Sequence, residues 1–285
     1  MDTTKELPTV IAFCAGYGGI ERGLDLAGVE HRVVAYVEIE AFGIANLVAK
    51  METGQLDPAP IYTDLKTFPA HLFRDRVDII TGGYPCQPFS AAGKRKGADD
   101  PRHLWPYIRR HIESIRPVQC FFENVEGHIS LGLSTVVSDL EEDGYTATWG
   151  IFSAREVGAP HQRKRVYILA NSNSGIGRQG GYQQPEQQQS GGLCQDVSNP
   201  SGIGLQGRTK PSPCPGESET AHQGGETART RIQTVQHRST WEPEPRVGRV
   251  VDGCPNRVDR LRLLGNGVVP QTAAKAYETL MRRYQ

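Results

Sequence analysis

Cys86 stands on a turn bounded by prolines, in Gly82-Gly83-Tyr84-Pro85-Cys86-Gln87-Pro88-Phe89-Ser90, just after the short apolar run Val77 to Ile80. A free cysteine within such a run would only pack as a small hydrophobe. At its mouth the thiolate can attack an electrophile, and Lys94, Arg95 and Lys96 supply the positive charge that favours the thiolate. Pro85 and Pro88, on either side of Cys86-Gln87, fix the turn. A second apolar run, Val118 to Phe122, closes on Glu123-Asn124-Val125. A carboxyl held protonated there by partial burial can donate a proton or a hydrogen bond, the alternative being a structural strand-end acid. Arg163 and Arg165 alternate ahead of Val166-Tyr167-Ile168, which predicts that both project from one side of a strand, as a functional or a plain surface pair. A nucleophile and an acid at neighbouring strand ends make a mechanism that needs a substrate.

A second set of residues suits a cofactor. Phe13-Cys14-Ala15-Gly16-Tyr17-Gly18-Gly19-Ile20 joins a strand to a helix, and its glycines let backbone approach a ligand at a helix start. The dinucleotide fingerprint GxGxxG would need glycine at position 21, where Glu21 stands. Glu38 ends the next strand, suited to ribose hydroxyls, and Asp64 follows a third, where it can accept from an adenine amino group. An adenosine-containing cofactor follows from the set, although a lone Glu38 or Asp64 would read as a solvated acid.

These residues require elements to hold them. Strands are predicted at Val10–Phe13, Val33–Val37, Val77–Thr81, Val118–Phe122, Tyr145–Phe152 and Arg165–Ala170. Helices are predicted at about Ile20–Ala27, up to Met51, His103–Ile115, Leu133–Leu140 and Gln271–Arg283, with Leu263–Pro270 as a turn. The alternation predicts an α/β fold with a doubly wound, mostly parallel sheet and ligands at the strand carboxyl ends. After Ala170 the composition shifts to Gly, Gln, Ser, Pro and Thr, and Ser-Gly-Ile-Gly-x-Gln-Gly occurs at 174–180 and again at 201–207. Two copies suit a duplicated loop or hairpin, and residues 180–230 are either a disordered insertion or a loop-built recognition surface.

Composition sets the bounds. The chain has 285 residues, 37% hydrophobic and 22% charged, enough for one large domain and a smaller one. No apolar run approaches the roughly 18 residues of a membrane span, and the start is no signal peptide. Six scattered cysteines without CxxC pairs (14, 86, 120, 194, 214 and 254) argue against a disulfide framework or a metal site and for a cytoplasmic setting. Basic and acidic residues balance at 32 each, yet eight arginines face four acids between Ala228 and Arg262, either a phosphate-holding surface or a solvated face.

Phe13 to Gly19, Pro85-Cys86-Gln87, Glu123-Asn124-Val125, His161-Gln162-Arg163-Lys164-Arg165 and Gly265-Asn266-Gly267-Val268-Val269-Pro270 resemble, in order and spacing, the successive motifs of the DNA (cytosine-5)-methyltransferase family. The resemblance covers residues 9–170 and 255–283 and implies the Rossmann-like sheet of S-adenosylmethionine-dependent methyltransferases. It implies a catalytic domain at 1–170 and 255–285, with a smaller irregular target-recognition region at 171–254. By similarity, S-adenosylmethionine is bound by Phe13, Ala15, Gly16, Gly18, Gly19, Ile20, Glu38, Asp64 and Asn266. Cys86 would add to C6 of a cytosine flipped from duplex DNA, Glu123 would engage N3, and Arg165 would contact O2. Arg163, Pro85, Gln87 and Asn124 would support the Cys86 loop. Tyr17 stands where that family commonly has a small or aliphatic residue, and Gly267 where alanine is frequent. The family usually acts as a monomer, and the compact length suits a bacterial or phage modification enzyme, either solitary or with a cognate restriction endonuclease as a partner. An RNA cytosine-5 methyltransferase of similar core is the nearest alternative; the Cys-Phe-Thr segment of that branch is absent here.

Overall fold

The structure, a computed structural model, describes residues 6–85, 104–174 and 257–284. Expectations on Cys86, Gln87, the Ser-Gly-Ile-Gly repeats, the target-recognition region and most of the arginine-rich segment lie outside the described residues.

All five residues of β1 (Thr9–Phe13), a threonine followed by four apolar residues, are buried, as a strand covered on both faces must be. Around it are β2 (Arg32–Val37), β3 (Ile61–Tyr62), β4 (Ile79–Gly82), β5 (Gln119–Val125), β6 (Tyr145–Ser153) and β7 (Lys164–Ser172). They form one seven-stranded sheet in the order β3-β2-β1-β4-β5-β7-β6. β1 to β5 pair in parallel, and β7 runs antiparallel to both β5 and β6. This is the expected doubly wound, mostly parallel sheet.

Alternation along the strands sorts side chains to two faces. Ile11, Phe13, Ile80, Cys120, Phe122, Val166 and Ile168 pack with α3 (Trp105–Ile115) and α5 (Leu133–Glu142) on one side. Val10, Ala12, Tyr36 and Ile79 meet Leu47 of α2 (Ala41–Glu52) on the other. On that same side Phe121, Tyr167 and Leu169 pack against α1 (Gly19–Leu26) and α7 (Pro270–Met281). A short helix, α4 (His128–Leu131), follows β5. Among the described residues no helix is long and apolar enough to cross a membrane.

The C-terminal segment departs from expectation in one place. Leu263 to Asn266, predicted as part of a turn, are the last residues of α6 (Arg257–Asn266). The turn is confined to Gly267–Val269, because the Gly267 amide still donates to the Leu263 carbonyl at 2.8 Å. Asn-Gly then stops the helix, and Pro270 opens α7 where its missing N–H costs nothing. α7 lies close on α1: a Cβ on Gly23 would stand 2.6 Å from Ala273 Cβ and 3.0 Å from the Pro270 carbonyl oxygen. Only glycine permits that approach.

Candidate active site

The winding of the sheet reverses between β1 and β4, so helices diverge there and leave a crevice at the strand carboxyl ends. The loop after β1 lines it with backbone in the left-handed region at Cys14 (φ 49°), Gly16 (φ 57°) and Gly18 (φ 78°). A Cβ on Gly16 would meet no atom within 4 Å, so open space lies over the loop. Gly18 caps α1 without a side chain, leaving the first-turn N–H groups to a ligand. The Ala15 amide donates to the Val37 carbonyl at 3.2 Å, tying the loop to the end of β2.

Glu38, just past β2, is 7% exposed. Its carboxylate accepts from the Gly16 amide at 2.7 Å and the Glu40 amide at 2.8 Å. Each oxygen keeps a second lone pair, enough for a pair of ribose hydroxyls. Asp64 caps a 3-10 turn, accepting from the Lys66 amide at 2.8 Å. Ile39, missed in the sequence reading, is 72% exposed beside the buried Glu38 and offers an apolar face to a flat ring. Its signal was an aliphatic residue directly after a strand-end acid. Together these groups fit an adenosine-containing cofactor. The side chains of Phe13 and Ile20 do not reach the crevice: both lie in the core, so only their backbone borders it. Gly19 lies against the C-terminal turn, where a Cβ would come within 2.6 Å of the Val268 carbonyl oxygen. Asn266 is exposed at the end of α6, next to that turn.

The other half of the crevice is built on β4, β5 and β7. From the Cβ position of Gly83, Glu123 Oε2 is 3.5 Å away, Val268 Cγ2 3.8 Å and the Cys14 carbonyl oxygen 4.0 Å. Gly83, where the chain leaves β4, therefore lies beside both the Glu123 carboxyl and the loop after β1. Glu123 pairs in register with Tyr167, and Arg165 faces the same side two residues earlier on β7. Arg165 Nε lies 2.9 Å from Glu123 Oε1. Burial nevertheless pushes the Glu123 carboxyl up to about 7, against the pull of Arg165 and Arg163. Such a group is protonated often enough near neutrality to act as an acid.

Arg163 corrects the expectation of two arginines alternating on one strand. β7 begins at Lys164, and Arg163 precedes it with φ 37°, because the chain turns there before pairing. Its guanidinium reaches the C-terminal turn, donating to the Gly265 carbonyl at 2.8 Å and to the Gly267 carbonyl. Asn124, 2% exposed, donates through Nδ2 to the Tyr84 carbonyl at 3.0 Å and accepts from the Val125 amide at 2.9 Å. The Tyr84 hydroxyl is 3.1 Å from His128 Nε2, and burial pushes that imidazole down to about 4, so it is neutral. Tyr84 is thus held by main chain and side chain immediately before Pro85, which is exposed. His128 was missed because its tie to Tyr84 spans 44 residues without a local pattern.

A family model described as C-5 cytosine-specific DNA methylase matches residues 9–240. The Type II methyltransferase M.NgoMIV of Neisseria gonorrhoeae is 33% identical over 169 residues, covering 58% of this chain and 52% of its own length. The Type II methyltransferase M.NaeI of Lentzea aerocolonigenes is 31% identical over 171 residues, covering 58% of this chain and 40% of its own. The crystal structure of the Dnmt2 methyltransferase of S. pombe aligns over 58% of this chain and 51% of that one, at 27% identity and a TM-score of 0.49. The chain spans about half the length of the curated relatives it matches.

Proposed function

The chain belongs to the C-5 cytosine-specific DNA methylase family, and we propose that it methylates C5 of a flipped-out cytosine in a specific duplex DNA sequence. The observation that carries this reading is the convergence at Gly83 of the Glu123 carboxyl, the Cys14 carbonyl and Val268. Chain geometry keeps the Cα of Cys86, three residues on, within about 11 Å of that point.

A pyrimidine C5 is a poor nucleophile until the ring loses its aromaticity, and it is out of reach inside the base stack. Cys86 Sγ adds to C6 as the thiolate, forming the S–C bond while electron density moves onto C5. Glu123 donates to N3, which neutralises the charge that would otherwise build on the ring. Arg165, whose Nε is 2.9 Å from Glu123 Oε1, contacts O2 in this reading. Asn124 and His128 hold Tyr84 and so aim the loop from Pro85 through Gln87. Gly16, Gly18, Gly19, Glu38, Asp64, Asn266 and the backbone of Phe13, Ala15 and Ile20 would hold S-adenosylmethionine, which when bound supplies the methyl group taken by C5. Water then takes the C5 proton. The C5–H electron pair forms the C5–C6 double bond as the C6–S bond breaks and releases the Cys86 thiolate, and N3 returns its proton to Glu123, which restores the aromatic ring. Residues 171–254 form the target-recognition region of this reading, and residues 1–170 with 255–285 the catalytic domain. Double-stranded DNA is the partner, and the enzyme acts as a monomer in the cytoplasm.

The test is mechanism-based trapping. Duplex DNA carrying 5-fluorocytosine, incubated with the protein and S-adenosylmethionine, is expected to yield a covalent complex, since fluorine at C5 cannot leave as the proton does. Cys86→Ala is expected to yield none. An adduct with tRNA alone, or one that survives in Cys86→Ala, overturns the reading.

A further inference from the structure

The C-terminal turn is fixed against the loop after β1 by Tyr17. Its hydroxyl donates to the Val268 carbonyl. Lys50 of α2 secures it from the other side, with Nζ 4.8 Å from the ring centroid and donating to the Tyr17 carbonyl at 2.6 Å. The ring then occupies the space a side chain at 267 would need. A Cβ on Gly267 would stand 1.8 Å from Tyr17 Cε1 and 2.6 Å from Cδ1, with the Leu263 carbonyl oxygen next at 2.9 Å. A methyl group at those distances displaces the ring, and the ring cannot move without giving up Val268 or Lys50. The peptide of Gly267 is held from a second direction by Arg163, which also donates to Gly265 and acts electrostatically on Glu123. Cofactor loop, C-terminal turn and the acid of the site thus share one contact chain.

We propose that Tyr17 and Gly267 are a matched pair, and that Tyr17 is a positioning residue that sets the turn Gly267–Val269 against the cofactor loop. The part that concerns the cofactor rests on the function proposed above; the steric pairing does not. Four full-length proteins separate the two: the native chain, Gly267→Ala, Tyr17→Leu and the double variant. Each is melted without cofactor and titrated with S-adenosylmethionine by calorimetry. Gly267→Ala is expected to lower Tm and weaken the cofactor, and the double variant to recover part of both losses, because leucine removes the 1.8 Å contact with Cε1 while the Leu263 carbonyl oxygen at 2.9 Å stays. Losses that simply add overturn the pairing. Should Gly267→Ala fail to fold, a folded double variant is the same rescue. Tyr17→Phe keeps the ring and loses one hydrogen bond, so the cofactor KM should rise about three- to tenfold, more than kcat falls. An unchanged KM overturns the positioning role. If the native chain binds no S-adenosylmethionine, the cofactor reading falls, while the melting cycle still decides the pairing.

Discussion

Burial and two guanidiniums pull the Glu123 carboxyl in opposite directions, and burial wins, leaving it near 7 instead of its ordinary 4.5. The sign of the consequence follows from linkage. Between about pH 4.5 and 7 the folded protein holds a proton that the unfolded chain has released. The stability Glu123 contributes is therefore fully present below 4.5 and is lost as pH rises through about 7. Turnover that needs the protonated acid declines across the same upper limit. Glu123→Gln is isosteric and cannot titrate, so its Tm should depend less on pH across that window than the native protein's. It should bind S-adenosylmethionine with native affinity while kcat falls by about 10²–10⁴. An unaltered pH slope in melting curves, or native turnover, would show that the carboxyl is not held protonated for this role.

At the scale of elements, the site depends on how tightly α1 and α7 approach, since α1 begins the cofactor loop's helix and α7 follows the turn that meets it. Gly23 sets that distance, with Ala273 Cβ 2.6 Å from where its own Cβ would stand. Gly23→Ala gains helix propensity worth about 1 kcal/mol, but overpacking costs about 1–3 kcal/mol. Net destabilisation in urea melts is expected, with cofactor affinity falling alongside; a more stable variant would mean that α7 yields freely. The elements themselves were largely legible. β1, β4 and β5 each carry a short apolar stretch (Val10–Phe13, Ile79–Ile80 and Cys120–Phe122), and burial on both sheet faces favours that pattern. What escaped the sequence reading is set by distant partners. The end of α6 is held by the Gly267–Leu263 hydrogen bond, and Arg163 leaves its expected strand to reach carbonyls 102 and 104 residues on. Tyr17 read only as a departure from the small or aliphatic residue common there, because nothing near it in sequence reveals Gly267 against its ring.

For the whole molecule, both walls of the crevice come from one sheet and the helices on its faces. Among the described residues the sheet has seven strands, the last of which, β7, ends at Ser172, and α6 and α7 follow from Arg257. The proposed division of labour follows: the described framework holds the cofactor and the acid, and residues 171–254 select the DNA sequence. A flexible Gly/Ser linker of about ten residues in place of 180–230 tests it. Shortening a connection changes the closure entropy only slowly with length, so the framework should still melt cooperatively and bind S-adenosylmethionine. Bisulfite sequencing of DNA from cells expressing the two forms should show methylation at a defined sequence with the full chain and none there with the shortened one. Loss of cofactor binding together with methylation would assign residues 180–230 to the catalytic framework. Retained sequence-specific methylation would place target selection outside them.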